Sequence, residues 1–440
     1  MPDKAGQEQH KQTSLQGIAR TARYKATHRF RNLYGEIDYT LLKMAWDRLN
    51  KKSMVSDKDL TIQEYAEHLE DNLQKLVLRL KAKQYKAKLV KRHYIAKANG
   101  KRRPLGIPAL EDKIVQKAAS MLLEAIYEQD FKDSSYGYRP KRSARDAVSD
   151  LTYLLQYGKY GYIVEADIKG FFDNIDHDLL LEMLSERIND RAFLNLIRKW
   201  LKAGVLEPDG MVIHPDTGTP QGGIISPILA NLYLHVVLDK WFEEEIKPRL
   251  RGKAFIIRYA DDFICAFQYK YDVDRFYDVL PKRMGKYGLE LEKTKTSIIR
   301  FSRFHPSRKR TFSFLGFEFY WFPDRKGTAR VQRRTSPKKQ QAALRRIKEW
   351  IRKSRHLPKK KYFGTLKRKL QGHYNYYYIR GNSRSVWSFY EQVKFYVHKW
   401  LNRRSQRKSY NWKKFKLLLE WVKLPWPKLT EKKRRHQVAV

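Results

Sequence analysis

An α+β fold followed by a separate helical region is predicted by three features of this 440-residue sequence. Residues 61–84 repeat apolar side chains with the period of an α-helix. Residues 254–267 have the pattern of two strands joined by a tight turn. After residue 333 a basic, aromatic-rich helical pattern replaces this mixture. The helices and strands do not alternate regularly, and this favours the α+β class over a parallel α/β sheet.

The composition points to a polyanionic partner. The chain carries 92 Lys and Arg against 47 Asp and Glu, a formal net charge of +45, and such an excess repels itself unless a polyanion binds. The single cysteine, Cys265, excludes internal disulfides and Cys-based zinc sites, and we expect it to be a buried, small apolar side chain. No apolar run is long enough to cross a membrane. We therefore expect a cytoplasmic protein that associates with RNA or the nucleoid and not with membranes.

The N-terminal part combines a basic extension with several helices. Residues 11–34 are rich in Arg and poor in acids, and we interpret them as an RNA-contacting arm rather than a transit peptide. Thr61-Ile-Gln-Glu64 is a capping-box pattern that opens the helix predicted over 61–84. Further helices are predicted over residues 111–131 and 143–157.

Three loops in this sequence could contact nucleotides. Residues 94–107 form a hairpin pattern around Asn99-Gly100, and its basic side chains could clamp a triphosphate or could belong to an ordinary charged sheet edge. The loop Ser134-Ser-Tyr-Gly-Tyr-Arg-Pro140 mixes aromatic rings with Arg, which suits stacking on nucleotides. Residues 217–227 are rich in Gly and Pro and lead into an apolar helix over 228–238, so backbone amides there could approach a ligand closely.

Three aspartates are candidates for a metal-binding cluster. Asp167 ends a predicted strand over 160–168, and Asp261 and Asp262 lie at the tip of the predicted 254–267 hairpin. Two adjacent carboxylates repel each other, so the tip is either a solvated acidic turn or a divalent-cation site. The upstream aspartate favours the cation site, because two Mg²⁺ ions could activate a primer 3′-hydroxyl and stabilise the leaving pyrophosphate.

The last quarter of the chain holds most of the excess charge. Residues 331–440 contain 33 Lys and Arg against 4 acids, a net charge of +29, and Thr335-Ser-Pro-Lys-Lys near their start is typical of a hinge. The aromatic side chains among these charges could form a core, bind nucleic acid, or do both, and the charge excess favours a helical nucleic-acid-binding domain. These aromatic residues are Trp350, Tyr374, Tyr376, Tyr377, Tyr378, Trp387, Tyr390, Trp400, Trp412 and Trp421.

Seven short motifs follow one another between residues 90 and 335. They are Arg103-Pro-Leu-Gly-Ile-Pro108, Ser135-Tyr-Gly-Tyr-Arg-Pro140, Ala166-Asp-Ile-Lys-Gly-Phe-Phe-Asp173, 218–227, Tyr259-Ala-Asp-Asp262, Lys293-Thr294 and Phe314-Leu-Gly-Phe317. Weaker matches continue at Gly372-His-Tyr-Asn-Tyr-Tyr377 and Trp400-Leu-Asn-Arg-Arg404. In this order the motifs resemble the group II intron-encoded reverse transcriptases, or maturases, of bacterial type.

The resemblance implies a right-hand polymerase with fingers and palm, followed by an all-α thumb or maturase domain. A basic extension would occupy residues 1–40, the fingers 41–160 and the palm 161–332, with 178–235 shared between fingers and palm. The helical thumb/maturase RNA-binding domain would occupy 335–440. Nothing after it resembles the nuclease module that many relatives carry, so we expect no endonuclease activity.

The resemblance also implies roles for individual residues. Asp167, Asp261 and Asp262 would be the catalytic and metal-binding acids, and the Ile168 carbonyl would help to hold one ion. Phe172 would exclude a ribose 2′-hydroxyl and so favour deoxynucleotides. The other nucleotide contacts would come from Lys97, Arg103, Gln221 and Lys293. Contacts with primer or template would come from Tyr136, Arg139, Tyr259, Phe314 and Gly316.

The function implied by the resemblance is an RNA-directed DNA polymerase that uses two Mg²⁺ ions and dNTP substrates. Its partners would be a group II intron RNA or another structured RNA template and a DNA primer or target. It would assist splicing of the intron and its mobility by reverse transcription. Two alternatives stay open: a related enzyme recruited to host defence or CRISPR adaptation, and a splicing cofactor that acts mainly by binding RNA. The oligomeric state is open as well.

Overall fold

The computed structural model describes residues 4–51, 61–96, 102–219, 222–306, 309–404 and 410–429. Its helices are α1 (Lys4–Tyr24), α2 (Tyr39–Arg48), α3 (Ile62–Glu67), α4 (Leu69–Lys81), α5 (Leu110–Tyr127), α6 (Ala144–Tyr157), α7 (His177–Ser185), α8 (Arg191–Leu201), α9 (Ser226–Leu234), α10 (Lys270–Lys286), α11 (Pro337–Ser354), α12 (Lys359–Tyr377), α13 (Ser383–Leu401) and α14 (Trp412–Trp421). Its strands are β1 (Val90–Ala96), β2 (Arg102–Ile107), β3 (Tyr162–Asp167), β4 (Val205–Leu206), β5 (Val212–Ile213), β6 (Ala254–Tyr259), β7 (Asp262–Phe267), β8 (Ser297–Arg300), β9 (Phe312–Phe314), β10 (Phe317–Pro323) and β11 (Ala329–Thr335). A π-helical segment, His235–Ile246, continues α9. No helix in these ranges is both long enough and apolar enough to cross a membrane.

The central sheet has the strand order β6-β7-β3-β8, and all its neighbouring strands are antiparallel. Alternate residues of β7 face two different cores, as the period of a strand requires. Phe263 and Cys265 belong to the core that the N-terminal helices, α7, α8 and α9 build, whereas Ile264 and Ala266 belong to the core shared with α6 and β9 to β11. Both faces of the sheet are therefore covered, and the buried position expected for Cys265 is confirmed.

The helix predicted over 61–84 forms, but it is interrupted once. The Thr61 hydroxyl accepts a hydrogen bond from the Glu64 amide at 3.2 Å, and the Glu64 carboxylate accepts one from the Thr61 amide at 2.7 Å, so the capping box is confirmed. At His68 the backbone leaves the helical conformation (φ −118°, ψ 37°), which separates α3 from α4. The helices predicted over 111–131 and 143–157 are confirmed as α5 and α6.

A second sheet carries the basic hairpin predicted over residues 94–107. Its strand order is β2-β1-β4-β5, and β1 and β2 pair antiparallel up to Ala96 and Arg102. The hairpin is therefore confirmed in its strands. The predicted turn at Asn99-Gly100 lies outside the described residues.

Helices α11 to α14 pack around a core of their own. Leu366, Tyr374 and Phe415 are fully buried in it, whereas Trp387 and Trp421 are exposed. Some aromatic residues of this region therefore form its core, whereas binding of nucleic acid by the exposed ones stays a prediction.

The segment that the sequence presents as a hinge is a fixed junction. Thr335 is buried; its amide donates a hydrogen bond to Asn382 Oδ1 at 2.8 Å, and Asn382 Nδ2 donates one to Thr335 Oγ1 at 2.8 Å. Nearby, the Phe317 ring of β10 stacks on Tyr376 of α12 with centroids 5.9 Å apart. The hinge prediction was wrong because Thr335 is hydrogen-bonded to the helical region and the Phe317 ring of β10 packs against it.

Candidate active site

Two neighbouring strands of the central sheet bring two aspartates face to face. Asp167, the last residue of β3, pairs directly with Asp262, the first residue of β7. The predicted β6–β7 hairpin is confirmed: Tyr259 pairs with Asp262, and Ala260 and Asp261 form its two-residue turn. Ala260 has a positive φ of 57°, as tight hairpin turns require. All three acids singled out in the sequence therefore lie at one end of the sheet.

Burial and mutual repulsion make this cluster unfavourable without a counter-charge. Burial, followed by repulsion from the neighbouring carboxylates, raises the pKa of Asp262 to about 7. Burial and the charge of Asp167 also raise the pKa of Asp261. The protein supplies one counter-charge itself, because Lys295 Nζ donates a hydrogen bond to Asp167 Oδ2 at 2.5 Å. This end of the sheet is therefore a place where a cation is stabilised.

The residue types fit a magnesium ion, whose preferred protein ligands are carboxylate oxygens. Over the described ranges, however, no group of three or more His, Cys, Asp or Glu side chains is arranged as a set of metal ligands. The ammonium group of Lys295 lies against Asp167 instead. The donor chemistry thus agrees with a divalent cation, while the two-ion site stays a prediction.

A cavity of about 450 Å³ opens beside the acids. One wall is the turn between β9 and β10, where Leu315 and Gly316 both have positive φ, 50° and 80°. The Leu315 carbonyl accepts a hydrogen bond from the Tyr376 hydroxyl, and the Gly316 carbonyl accepts one from the Ser336 amide, each at 2.9 Å. Phe314 and Gly316, two of the predicted primer contacts, line this cavity, but the Phe314 side chain is only 1% exposed. The accessible part of this wall is therefore formed by the half-buried Leu315 and Gly316 and not by the Phe314 ring.

Glu165 is a fourth carboxylate at this site and was not among the acids singled out in the sequence. It lies two residues before Asp167 on β3, on the same face of the strand, and it lines the same cavity. Burial, and then repulsion from Asp167, raises the pKa of Glu165. The spacing Glu165-Ala-Asp167 could have revealed it, because residues i and i+2 of a strand point to one side.

The start of the Gly/Pro-rich loop is tied to the segment that carries Phe172. The Thr219 amide donates a hydrogen bond to the Phe172 carbonyl, and the Gly218 amide donates one to the Ile175 carbonyl, each at 2.7 Å. The buried His177 contacts the Gly218 carbonyl through Nε2 at 2.6 Å. The half-buried Phe172 side chain therefore lies next to a loop whose backbone is held in place.

The other end of the loop is tied to the basic hairpin and to α5. The Ile224 amide donates a hydrogen bond to Gln116 Oε1 at 3.0 Å. Gly222, with φ at 118°, approaches β2 so closely that a Cβ there would lie 2.4 Å from the Gly106 carbonyl oxygen. Gln221, the predicted nucleotide contact between these two anchors, and Lys97 both lie outside the part of the chain that the structure describes.

Arg103 acts electrostatically on one of the acids, Asp261. Arg103 is exposed on β2, and its positive charge opposes the rise in the pKa of Asp261. In the short turn Lys293–Lys295, the exposed Lys293 lies two residues from the lysine that reaches Asp167. Ile168 is buried and bridges to Leu291.

Tyr136 and Arg139, predicted to contact primer or template, are buried. The Tyr136 side chain is 0% exposed, and its hydroxyl donates a hydrogen bond to Asp150 at 2.7 Å. Arg139 is 7% exposed and forms an ion pair with Glu128 at 2.9 Å. These positions do not support contact with nucleic acid; both side chains hold the loop in place. Tyr138 between them is 51% exposed, and the sequence could not distinguish the three because a loop has no periodicity.

A buried ion pair that sequence reasoning missed holds the hairpin from behind. Arg258, next to Tyr259, is 0% exposed and pairs with Asp239 of the π-helical segment at 2.5 Å. Its guanidinium group also donates hydrogen bonds to Ser135 Oγ at 2.8 Å and to the Ala260 carbonyl at 3.0 Å. One side chain thus joins the turn, the 134–140 loop and a helix. A charged residue inside an apolar strand was the feature that could have revealed it.

Comparison with known proteins agrees with this geometry. A family model described as reverse transcriptase (RNA-dependent DNA polymerase) matches residues 95–319, half of the chain. The group II intron-encoded protein LtrA of Lactococcus lactis subsp. cremoris is 47% identical over 173 residues, which cover 39% of this chain and 28% of LtrA. Protein YkfC of Escherichia coli is 39% identical over 204 residues, which cover 40% of this chain and 53% of YkfC. An uncharacterized 91 kDa protein in the cob intron of Schizosaccharomyces pombe is 41% identical over 188 residues, 43% of this chain and 23% of that protein.

The chain thus spans between about a quarter and about half of the length of these relatives. The matches confirm the resemblance to group II intron-encoded reverse transcriptases. They also confirm the α+β right-hand polymerase fold with a helical C-terminal region. With its acids at the hairpin and the family model covering half of its residues, this chain belongs to the reverse transcriptase (RNA-dependent DNA polymerase) family.

Proposed function

We propose that this chain is an RNA-directed DNA polymerase that binds a structured group II intron RNA and assists its splicing and mobility. The observation that carries the proposal is the cross-strand pair Asp167–Asp262 with Asp261 beside it, inside the segment that matches the family model. The similarity to LtrA, a group II intron-encoded protein, supports the choice of RNA. The net charge of +45 supports a polyanionic partner.

In this proposal the three aspartates hold two Mg²⁺ ions, with the Ile168 carbonyl as a further ligand of one. When bound, these ions activate the primer 3′-hydroxyl and stabilise the leaving pyrophosphate. The side chains around them mainly position the reactants, which is most of what a protein contributes to phosphoryl transfer. The triphosphate is held by Lys97, Arg103 and Lys293, and the incoming deoxynucleotide is contacted by Gln221 and selected by Phe172.

The primer end is proposed to enter the cavity beside the acids. The Leu315-Gly316 turn would contact it rather than the Phe314 side chain, which is buried. Tyr259, half-buried on β6, would contact the same primer end. The proposed fingers are residues 41–160 and the proposed palm 161–332, with 178–235 shared between them. The basic extension 1–40 and the helical region 335–440 would bind the RNA through their charge.

Primer extension on an RNA template, with dNTPs and Mg²⁺, tests the polymerase activity. We expect the chain to incorporate deoxynucleotides and Asp262→Asn to incorporate none while it binds RNA about as tightly as the unsubstituted chain. No incorporation by the unsubstituted chain would refute the polymerase proposal and leave a protein that acts by RNA binding. Sequencing the RNA that copurifies tests the partner: an RNA other than a group II intron would favour a recruited enzyme.

A further inference from the structure

Tyr138 lies on a loop that follows the backbone of the catalytic hairpin. The Tyr136 amide donates a hydrogen bond to the Arg258 carbonyl, and the Arg258 amide donates one to the Ser134 carbonyl, each at 2.8 Å. Gly137 packs so closely on the hairpin turn that a Cβ there would lie 2.3 Å from the Ala260 nitrogen. The position of Tyr138 is therefore fixed relative to the Ala260-Asp261 turn.

The backbone of this loop presents the Tyr138 ring to solvent. Its φ of 57° is a left-handed conformation that bulky side chains rarely adopt. The neighbouring Tyr136 and Arg139 point inward and are buried, whereas Tyr138 is about half exposed. An unfavourable conformation that exposes an aromatic ring beside a catalytic turn is typical of functional positions.

The ring of Tyr138 lies between the groups proposed to bind the nucleotide. It packs edge-to-face against Phe172, with ring centroids 6.4 Å apart and an interplanar angle of 79°. Asp261 and Arg103 are both close enough to act on the Tyr138 hydroxyl electrostatically, since burial and Asp261 raise its pKa and Arg103 opposes that rise. The Phe172 ring also has an edge-to-face contact with Phe171, its neighbour in the chain, with centroids 5.4 Å apart.

We propose that Tyr138 is a positioning residue for sugar selection: its ring holds Phe172 against the place of the 2′-hydroxyl of an incoming nucleotide. The inference rests on the proposed polymerase function and deepens it. Phe172 has edge-to-face contacts with Phe171, its chain neighbour, and with Tyr138 of the 134–140 loop, so loss of the Tyr138 ring removes the contact from outside its own segment that restrains Phe172 beside the sugar. Discrimination between deoxynucleotides and ribonucleotides then depends on a residue of the 134–140 loop as well as on Phe172.

The test compares kcat/KM for a dNTP with kcat/KM for the matching rNTP. We expect Tyr138→Ala to lower this ratio roughly three- to ten-fold, as the loss of one aromatic pair predicts. Tyr138→Phe keeps the ring and should keep the ratio. Lys141→Ala is the matched control, because Lys141 shares the loop, the exposure and a positive φ of 60°. If Tyr138→Ala does not incorporate nucleotides at all, Tyr138→Asn takes its place, since Asn tolerates this φ.

A double substitution separates positioning from direct contact. If Tyr138 acts through Phe172, Tyr138→Ala should lower the ratio no further once Phe172→Ala is present. An unchanged ratio in Tyr138→Ala, or fully additive losses in the double variant, would overturn the inference while deoxynucleotide incorporation leaves the polymerase proposal intact. An unsubstituted chain that incorporates neither nucleotide would overturn both.

Discussion

Asp167 and Asp262 face each other directly across neighbouring antiparallel strands. Like charges in this position normally destabilise a sheet. Here the repulsion is intensified by burial, and the ammonium group of Lys295, which bonds to Asp167, opposes it. The sheet therefore keeps an arrangement that reduces its stability, as expected when the acids serve a function.

Replacing one member of this pair should separate stability from activity. We expect Asp262→Asn to abolish deoxynucleotide incorporation and to leave the melting temperature unchanged or raise it, because the substitution removes a buried charge and its repulsion. Calorimetry and primer extension measure the two effects. Glu245→Gln, at an exposed carboxylate, is the control and should change neither. A strongly lowered melting temperature would show that Asp262 holds the fold.

Lys295 should compete with Mg²⁺ for Asp167. In Lys295→Gln the ammonium group that bonds to Asp167 is gone, so less Mg²⁺ should be needed to saturate the site. Titration of Mg²⁺ followed by thermal stabilisation measures this without reference to catalysis. Lys293→Gln is the matched control, since Lys293 lies in the same turn, and it should leave the midpoint unchanged. Equal midpoints for both variants would contradict the competition.

The buried pair Arg258–Asp239 should be needed for folding and for the position of the Ala260-Asp261 turn. Arg258→Met leaves Asp239 buried and uncompensated, and we expect it to lower the free energy of unfolding by about 3–5 kcal/mol. Adding Asp239→Leu should restore most of that loss. Polymerisation should stay low in the double variant, because the hydrogen bonds to Ser135 and Ala260 are still missing. If the double variant recovered both its stability and its polymerase activity, Arg258 would be needed for folding only.

Gly222 should be required for its close approach to β2. Gly222→Ala would place a Cβ 2.4 Å from the Gly106 carbonyl oxygen, so the loop anchored there must move. We expect at least about ten-fold slower incorporation, as displaced positioning groups typically cause. Gly210→Ala is the matched control: Gly210 also has a positive φ, 94°, but a Cβ there would meet nothing within 4 Å. If Gly222→Ala and Gly210→Ala slowed incorporation to a similar extent, backbone strain alone would explain the effect.

Asp112, buried beneath this loop, should make stability fall as pH rises. Burial raises its pKa to about 6, whereas an unfolded Asp has its ordinary value near 4. A carboxyl group whose pKa is higher in the folded chain stabilises the fold, and this stabilisation is complete at pH values below the pKa of the unfolded chain. It is lost as the pH rises through about 6. The hydrogen bond from the Tyr85 hydroxyl, followed by Lys88, opposes this rise in the pKa of Asp112, and Glu111 adds to it. Between pH 4 and pH 7 we expect the free energy of unfolding of the unsubstituted chain to fall by roughly 1–3 kcal/mol relative to that of Asp112→Asn. Denaturant titrations measure both free energies, and parallel plots of the two against pH would contradict this.

The sequence was most informative where residue type and local pattern agree. The hairpin at Tyr259–Asp262, the capping box at Thr61 and the helices α5 and α6 follow from short-range patterns, and the structure has them. The acid cluster could be anticipated because carboxylates on strands are unfavourable unless they serve a function, and they stand out in a strongly basic chain. The direct pairing of Asp167 with Asp262 could not, because register between strands almost a hundred residues apart depends on the whole sheet.

Residues whose role depends on long-range contacts escaped the sequence analysis. Arg258 bonds to Asp239 and Ser135 from two distant segments, and no local pattern in the sequence predicts that. Tyr136 and Tyr138 look equivalent in sequence, and only the left-handed backbone at Tyr138 decides which ring faces the acids. The hinge prediction at Thr335 failed similarly, since its partner Asn382 lies 47 residues further along the chain.

That junction also determines how the molecule can be divided. Phe317 and Tyr376 cover each other, and Tyr376 also bonds to the Leu315 turn. A cut at Thr335 would leave an uncovered aromatic surface on both fragments and break the Thr335–Asn382 bonds. The two fragments, expressed separately, should therefore be poorly soluble alone and should reassociate when mixed, as a protein complementation pair does.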